Sequence, residues 1–349
     1  MTELRSPVPE LDYSGETCPS SIGSPVPFRS PFHARSAFME YGIPLLLFAL
    51  SVVTTTAIGA RFMHNFLSGQ PAVVNESDLW PWSWLFEHPS RFLLGWPFSA
   101  ALLGILLTHE FGHYFACRAH GIRATLPWVL PAPTLSGTAG AVIQLRSRIP
   151  NRHALMDVGV YGPLAGYAAS LVAVAIGFLL SHTVPPDATP PLIDFGKPLT
   201  LDIIPAVLSQ LHSGTPTFEH ATRHPVLIAG WVGLFITSLN LIPGGQLDGG
   251  HILYAMSPRW HRIVTRILPL ALLVCGFFFW VGWLLWGLIL LIPAMRHPYV
   301  PMDRPLDAKR ILLCALALAV FALTFSAEPF AGSSIQSYLP WKVTMPWSL

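Results

Sequence analysis

The sequence predicts an all-α polytopic membrane protein of about seven transmembrane helices, with a membrane-embedded β-hairpin following the second of them. Three observations carry this prediction. Of 349 residues, 52% are hydrophobic and only 11% are charged, against roughly 25% charged in ordinary soluble domains. Apolar runs close to the ~20 residues that cross a bilayer recur along the chain. Lys and Arg are divided unevenly between alternate connecting segments, as the two sides of a membrane require. With a net charge of +2 and no nucleic-acid-binding motif, the expected partner is the lipid bilayer and not a nucleic acid.

The elements follow in order. Residues 1–36 are rich in Pro, Ser and Gly, with no apolar run behind a basic start, which predicts a disordered tail and not a signal peptide. A single membrane domain is expected over 37–330, and 331–349 is read as a C-terminal tail. The apolar segments are 42–60, 92–119, 154–182, 225–242, 262–279, 281–295 and 309–326. The longest connection, 183–224, holds Pro185, Pro186, Pro190, Pro191, Pro198 and Pro216 and is expected to be a loop.

Segment 262–295 can be read as one long tilted helix or as two short spans. With a cytoplasmic N-terminus and two spans turning near Gly282, the cytoplasmic segments hold fifteen of the 20 Lys and Arg residues. A single span would strand Arg296, Arg304, Lys309 and Arg310 outside, so the positive-inside rule selects two. Cys18, Cys117, Cys275 and Cys314 show no metal-binding or disulfide spacing.

Within the second apolar segment, residues 109–113 read His-Glu-Phe-Gly-His. On a helix the two histidines share one face and can reach one metal, with Glu110 beside the bound water. A chance match has a probability on the order of 0.01, and ionisable groups inside an apolar helix are costly unless they are paired or functional. Counting back from residue 119 puts His109 about 15 Å from the cytoplasmic helix end. Two imidazoles leave catalytic zinc short of a third protein ligand, best supplied by a carboxylate at the same depth. The stretch Asn240-Leu-Ile-Pro-Gly-Gly-Gln-Leu-Asp248-Gly-Gly-His251 offers Asp248, because Pro243 breaks the preceding helix at the cytoplasmic side. The expected metal ligands are therefore His109, His113 and Asp248, the cofactor Zn²⁺, and the general base Glu110. Asp248 could alternatively serve only as a helix cap. Cys117, one turn past His113, is expected to pack and not to ligate, and the Gly162/Gly166 pair to mark a close helix contact.

These residues resemble the site-2 protease family of intramembrane metalloproteases. His109–His113 matches its first motif; Asn240, Pro243, Leu247, Asp248 and Gly249 match its second, NxxPxxxLDG. Gly137-Thr-Ala-Gly140 and Gly162-Pro-Leu-Ala-Gly166 also look like the family, and within it Ile149–Asp157 looks closest to the branch found in plastids and bacteria. Ala139 departs from the pattern, since such relatives often carry Phe there. The resemblance implies cleavage of a single-span membrane protein near the cytoplasmic side, with Asn240 holding the substrate or the oxyanion. It implies a branch without PDZ or CBS domains. It places the chain in the bacterial inner membrane before a plastid membrane, with the N-terminus cytoplasmic. The alternating stretch Ala141–Arg146 predicts a hairpin strand whose free edge can pair with an unwound substrate. A metalloprotease with Glu as third ligand is disfavoured, because Glu219 and Glu328 are expected on the outer side. A non-catalytic scaffold or transporter with a retained metal site is the remaining alternative.

Overall fold

A computed structural model describes residues 38–186, 188–212 and 214–338; the expected N-terminal tail and most of the C-terminal tail lie outside the described residues. In chain order the elements are α1 (Ile43–Leu67), α2 (Trp82–Glu87), α3 (Trp96–Ala119), β1 (Trp128–Pro131), β2 (Thr138–Val142), α4 (Arg152–Leu180), β3 (His182–Thr183), α5 (Thr200–Leu211), β4 (Ala221–Thr222), α6 (Pro225–Asn240), α7 (Asp248–Met256), α8 (Pro258–Phe278), α9 (Gly282–Leu291) and α10 (Ala308–Thr324). Local chemistry sets many of the boundaries. Asn151, Ser257 and Asp307 cap α4, α8 and α10 through side-chain oxygens that accept from backbone N–H groups three residues on. Prolines stand in the first turns of α1, α3, α6 and α8, where a missing N–H costs nothing.

Each of the seven apolar segments forms a helix; among the described residues, four stretches are long and apolar enough to cross a membrane: Glu40–Leu67, Pro89–Ala119, Arg152–Leu180 and Pro258–Phe278. Helix α6 has 16 residues, α10 has 17 and α9 only 10. At 1.5 Å per residue α9 spans about 15 Å, half a hydrocarbon core. Pro243 and Pro293, just past the ends of α6 and α9, explain two of the short lengths. Segment 262–295 is not one continuous helix: the chain breaks between Phe278 and Gly282. Helices α8 and α9 then lie antiparallel, with Gly276 facing Leu284 and Gly287 facing the Pro269 carbonyl.

The proline-rich connection 183–224 is more ordered than a loop. It contains α5 and the antiparallel pairing of β3 with β4. The apolar positions Leu201, Ile204 and Leu208 sit at helical spacing and pack on the main core, a period hidden by the surrounding prolines.

The core is built where α3, α4 and α6 meet, around Leu102, Leu106, Val174, Phe178, Leu227 and Trp231. Helices α3 and α4 touch closely: a Cβ on Gly112 would lie 2.5 Å from the Tyr161 carbonyl oxygen.

The hairpin is antiparallel, with Trp128 opposite Val142, Val129 opposite Ala141 and Leu130 opposite Gly140. Its second strand begins at Thr138, three residues before the alternating stretch. The ladder loosens beyond Val142, continuing through the Ala124–Leu145 bridge. Gly137 and Gly140 both have positive φ, 78° and 104°, a region where other residues are strained. This is why the turn into β2 is written Gly-Thr-Ala-Gly. Ala139 points outward from the strand, so the departure from Phe leaves the interior unchanged. The β1 side rests on α1: the Ser51 hydroxyl donates to the Val129 carbonyl, 3.2 Å, and the Thr54 hydroxyl to the Gly137 carbonyl, 2.6 Å.

Candidate metal centre

His109, Glu110 and His113 project from the second half of α3 and are all buried. Their spacing puts both imidazoles on the face turned toward α4, where two glycines make room. A Cβ on Gly162 would lie 2.1 Å from His113 Nε2, and one on Gly166 would lie 2.7 Å from His109 Nδ1. The pair expected to mark a plain helix contact is thus the floor on which the histidines rest.

The His113 Nδ1–H donates to the Val158 carbonyl at 2.7 Å. That bond fixes the tautomer and leaves the Nε2 lone pair facing inward. The His109 Nε2 atom stands 3.1 Å away. Asp248 Oδ2 lies 3.3 Å from each of these nitrogens.

Asp248 opens α7, and its side chain does not cap that helix; the carboxylate points to the histidines instead. Its position depends on Gly249 and Gly250. Cβ atoms there would meet the Leu241 carbonyl at 2.1 Å and the Gly245 carbonyl at 2.5 Å, so only glycine lets α7 start against the chain leaving α6. Asn240 is the last residue of α6, and its Nδ2 lies 3.3 Å from His109 Nε2. Every residue that the sequence nominated therefore meets at one point.

The arrangement matches what zinc demands. Ligand bonds of 2.0–2.2 Å in a tetrahedron give donor–donor edges of about 3.3–3.6 Å, and the triangle His109, His113, Asp248 has edges of 3.1, 3.3 and 3.3 Å. Among the described residues, His109, Glu110 and His113 form the group whose ligand atoms lie close enough to hold a metal ion. Cys117 packs with Ala116, Ile122 and Leu155 and takes no part. Glu219 pairs with Lys197 at 2.7 Å, and the Glu328 carboxylate accepts from the Gly332 amide; neither reaches the centre. Glu110 faces the Ile143 backbone amide just past β2, which brings the hairpin to the edge of the site.

Residues 97–282 match Peptidase family M50. The chain belongs to that family. The match spans both motifs and fits the site-2 proteases within it. The chain is 33% identical over 221 residues to a probable zinc metalloprotease EGY1, chloroplastic, of Arabidopsis thaliana, which covers 60% of this chain and 39% of that protein. It is 29% identical over 307 residues to the rice (Oryza sativa subsp. japonica) protein of the same name, covering 83% of this chain and 50% of that one. A probable zinc metalloprotease EGY2, chloroplastic, of Arabidopsis thaliana is 26% identical over 279 residues, 76% of this chain and 47% of that protein. The chain thus spans between two fifths and half of the length of these relatives.

Sequence reasoning missed the surroundings of the centre. His251, three residues past Asp248, donates from Nδ1–H to His297 Nε2 at 2.8 Å, while the His297 Nδ1–H donates to the Pro298 carbonyl at 2.7 Å. Tyr254 stacks on His297 with centroids 4.0 Å apart. Two hallmarks of such a pairing, a histidine in each of two connecting segments, were visible, but nothing in their spacing joined them. His120 pairs with the buried Asp157 at 2.8 Å beside Arg310.

Proposed function

We propose that this protein is an intramembrane zinc metalloendopeptidase that cuts the membrane-spanning segment of a single-span protein. The single observation that carries the reading is the triangle of three electron-pair donors, the buried His109 Nε2 and His113 Nε2 and the partly buried Asp248 Oδ2, set 3.1–3.3 Å apart beside a buried glutamate. Donors so close repel one another unless a proton or a metal cation lies between them, and their spacing suits zinc. The names of the relatives support the same metal.

When bound, zinc polarises the scissile carbonyl and lowers the pKa of an attacking water. The chain's own residues do the rest. Glu110 accepts the proton from that water and passes it to the leaving amine. Asn240, at the rim of the triangle, donates to the substrate carbonyl or to the oxyanion that forms from it. The outer edge of β2 offers the substrate a backbone to pair with, since the β1 edge is already occupied by α1. That supports cleavage of an unwound segment held as an added strand, with the hairpin at membrane depth.

The cut is expected near the side that carries most Lys and Arg, because the site lies about 15 Å from that end of α3. The names of the relatives favour a plastid membrane over the bacterial inner membrane that the motifs first suggested. Retention of Glu110 weighs against a scaffold or transporter, which has no use for a base.

The test is Glu110→Gln. It keeps the shape of the side chain but cannot accept the proton, so cleavage of a membrane-spanning substrate is expected to fall by about 10²–10⁴-fold with zinc retained. Undiminished cleavage sinks the mechanism. Cuts confined to soluble loops sink the intramembrane assignment.

A further inference from the structure

Behind the loop that carries Asp248 is a groove of about 430 Å³, formed by the end of α6, by α7 and the start of α8, and by α10. Its walls include Leu241, Pro243, Ile252, Cys314, Ala317 and Phe321, an almost wholly apolar set. It opens sideways: Met256, Trp260 and Leu318 line it and are 40%, 61% and 68% exposed. In a membrane protein that direction is the bilayer.

The charges beside its mouth are distinctive. Arg259 falls between the groove-lining residues Ser257 and Trp260. Arg259, Arg262 and Arg266 recur at helical spacing, i, i+3 and i+7, and so form one stripe along the exposed side of α8. Among the described residues, none of the three pairs with a carboxylate. The neighbouring arginines are committed elsewhere: Arg152 donates to the carbonyls of Ala255 and Met256, and Arg310 holds Asp157 and Asp307. Beside the stripe and beyond it, the exposed side of α8 carries the apolar Ile263, Ile267, Leu270 and Val274. An apolar slot beside guanidinium groups that lack a carboxylate partner, Arg262 Nε donating only to the Pro258 carbonyl of its own helix at 3.4 Å, is complementary to one molecule that bears both an acyl chain and a phosphate.

We propose that this groove binds an anionic phospholipid, with one acyl chain in the slot and the phosphate on Arg259 and Arg262, and that the lipid stiffens the segment presenting Asp248. The groove shares Leu241, Pro243 and Gly249 with that segment, so a chain lying in it presses on the back of the turn whose front faces the histidines. This second part rests on the metalloprotease reading; the binding part does not.

The experiment uses the full chain in phosphatidylcholine nanodiscs, with photoreactive phosphatidylglycerol and photoreactive phosphatidylcholine, each carrying the reactive group on an acyl chain. Adducts are mapped by mass spectrometry. Phosphatidylglycerol is expected to label peptides containing Leu253–Trp260 and Cys314–Phe321 preferentially. Arg259→Gln with Arg262→Gln, both fully surface changes, is expected to lower that labelling roughly 10-fold or more. Cys314→Trp, which fills the slot, is expected to abolish it. Equal labelling by both lipids, or labelling untouched by the arginine pair, overturns the site. Labelling that a substrate's transmembrane segment displaces, and unlabelled phosphatidylglycerol does not, overturns it too and gives the groove to the substrate. The regulatory half is read separately as the rate of zinc loss to a chelator. Phosphatidylglycerol is expected to slow it several-fold in the wild type and not in the arginine double variant. An unchanged rate with labelling intact overturns only the stiffening. A wild type that never holds zinc overturns the metal reading and leaves the lipid site standing.

Discussion

Replacing Gly162 by alanine adds one methyl group to α4, and the structure fixes where it goes. The new Cβ would lie 2.1 Å from His113 Nε2. Ordinary contact begins near 3.4 Å, so the ring must retreat by more than 1 Å. It cannot do so freely, because its other nitrogen donates to the Val158 carbonyl at 2.7 Å. Metal–ligand bonds tolerate about ±0.2 Å, so the displacement removes His113 from any shared coordination geometry. Disturbing a ligand's support already weakens metal binding 10–100-fold, and the expected loss in Gly162→Ala is at least that. Secondary structure argues the opposite sign: Gly→Ala inside a helix ordinarily gains up to about 1 kcal/mol. Zinc content after chelator competition, together with thermal unfolding followed by circular dichroism, separates the two effects. Gly104→Ala in α3 is the control, since a Cβ there meets nothing within 4 Å; it is expected to keep zinc and to be neutral or slightly stabilising. A Gly162→Ala protein that binds zinc like the wild type would refute the placement of His113 in the centre.

Other expectations follow from the same geometry. Asp248→Ala removes one edge-sharing donor and is expected to lose most bound zinc, as is His109→Ala; full occupancy in Asp248→Ala, measured by elemental analysis, removes that residue from the set. Reporter fusions after residues 150 and 300 are expected on the cytoplasmic side and one after 200 on the other, and an external report at 300 would contradict the two-helix turn at Gly282. Burial, and then the neighbouring His251, push the His297 imidazole down to about 3 from an ordinary 6.5. The folded protein therefore refuses a proton that the unfolded chain accepts, so stability is full above pH 6.5 and declines as pH falls toward 3. His297→Asn is expected to flatten that slope in melting curves taken between pH 7 and 4, and an unchanged slope counts against it.

Much of this architecture was legible because each signal rested on a short-range rule. His109 and His113 read as a metal pair from helix periodicity alone. Asp248 followed from Pro243 and the gain of depth at a helix end, and Gly137 and Gly140 from the family pattern of the hairpin. Other features resisted for physical reasons. Helix α5 was concealed because Pro198 and Pro205 weight a segment toward loop; Pro205 stands inside the helix, and its cost is offset where Leu201, Ile204 and Leu208 pack on the apolar core. Hydropathy reports what lipid or protein core will accept and not how far a helix reaches, which is why α9 is apolar throughout yet only 10 residues long. The His251–His297 pair joins segments that adjoin only after α8 and α9 fold back as a hairpin, and no local pattern encodes that.

The glycines explain how donor atoms drawn from three helices can be held 3.1–3.3 Å apart inside an apolar bundle. A zinc triangle with edges near 3.3 Å requires the backbones that carry its corners to approach more closely than side chains normally permit. Gly112 brings α3 against the Tyr161 carbonyl, Gly162 and Gly166 receive the imidazoles, Gly159 admits the Asp248–His251 turn, and Gly249 with Gly250 lets α7 begin on the backbone of residues 241–245. Each site is occupied on the far side by backbone or by a ring, so none can yield to a methyl group as a flexible side chain would. In lipid, apolar burial supplies little force to draw helices together, and close van der Waals packing between small residues must supply it. The same contacts that hold these helices in the bilayer therefore set the ligand distances, and a substitution that loosens one is expected to cost metal affinity before it costs the fold.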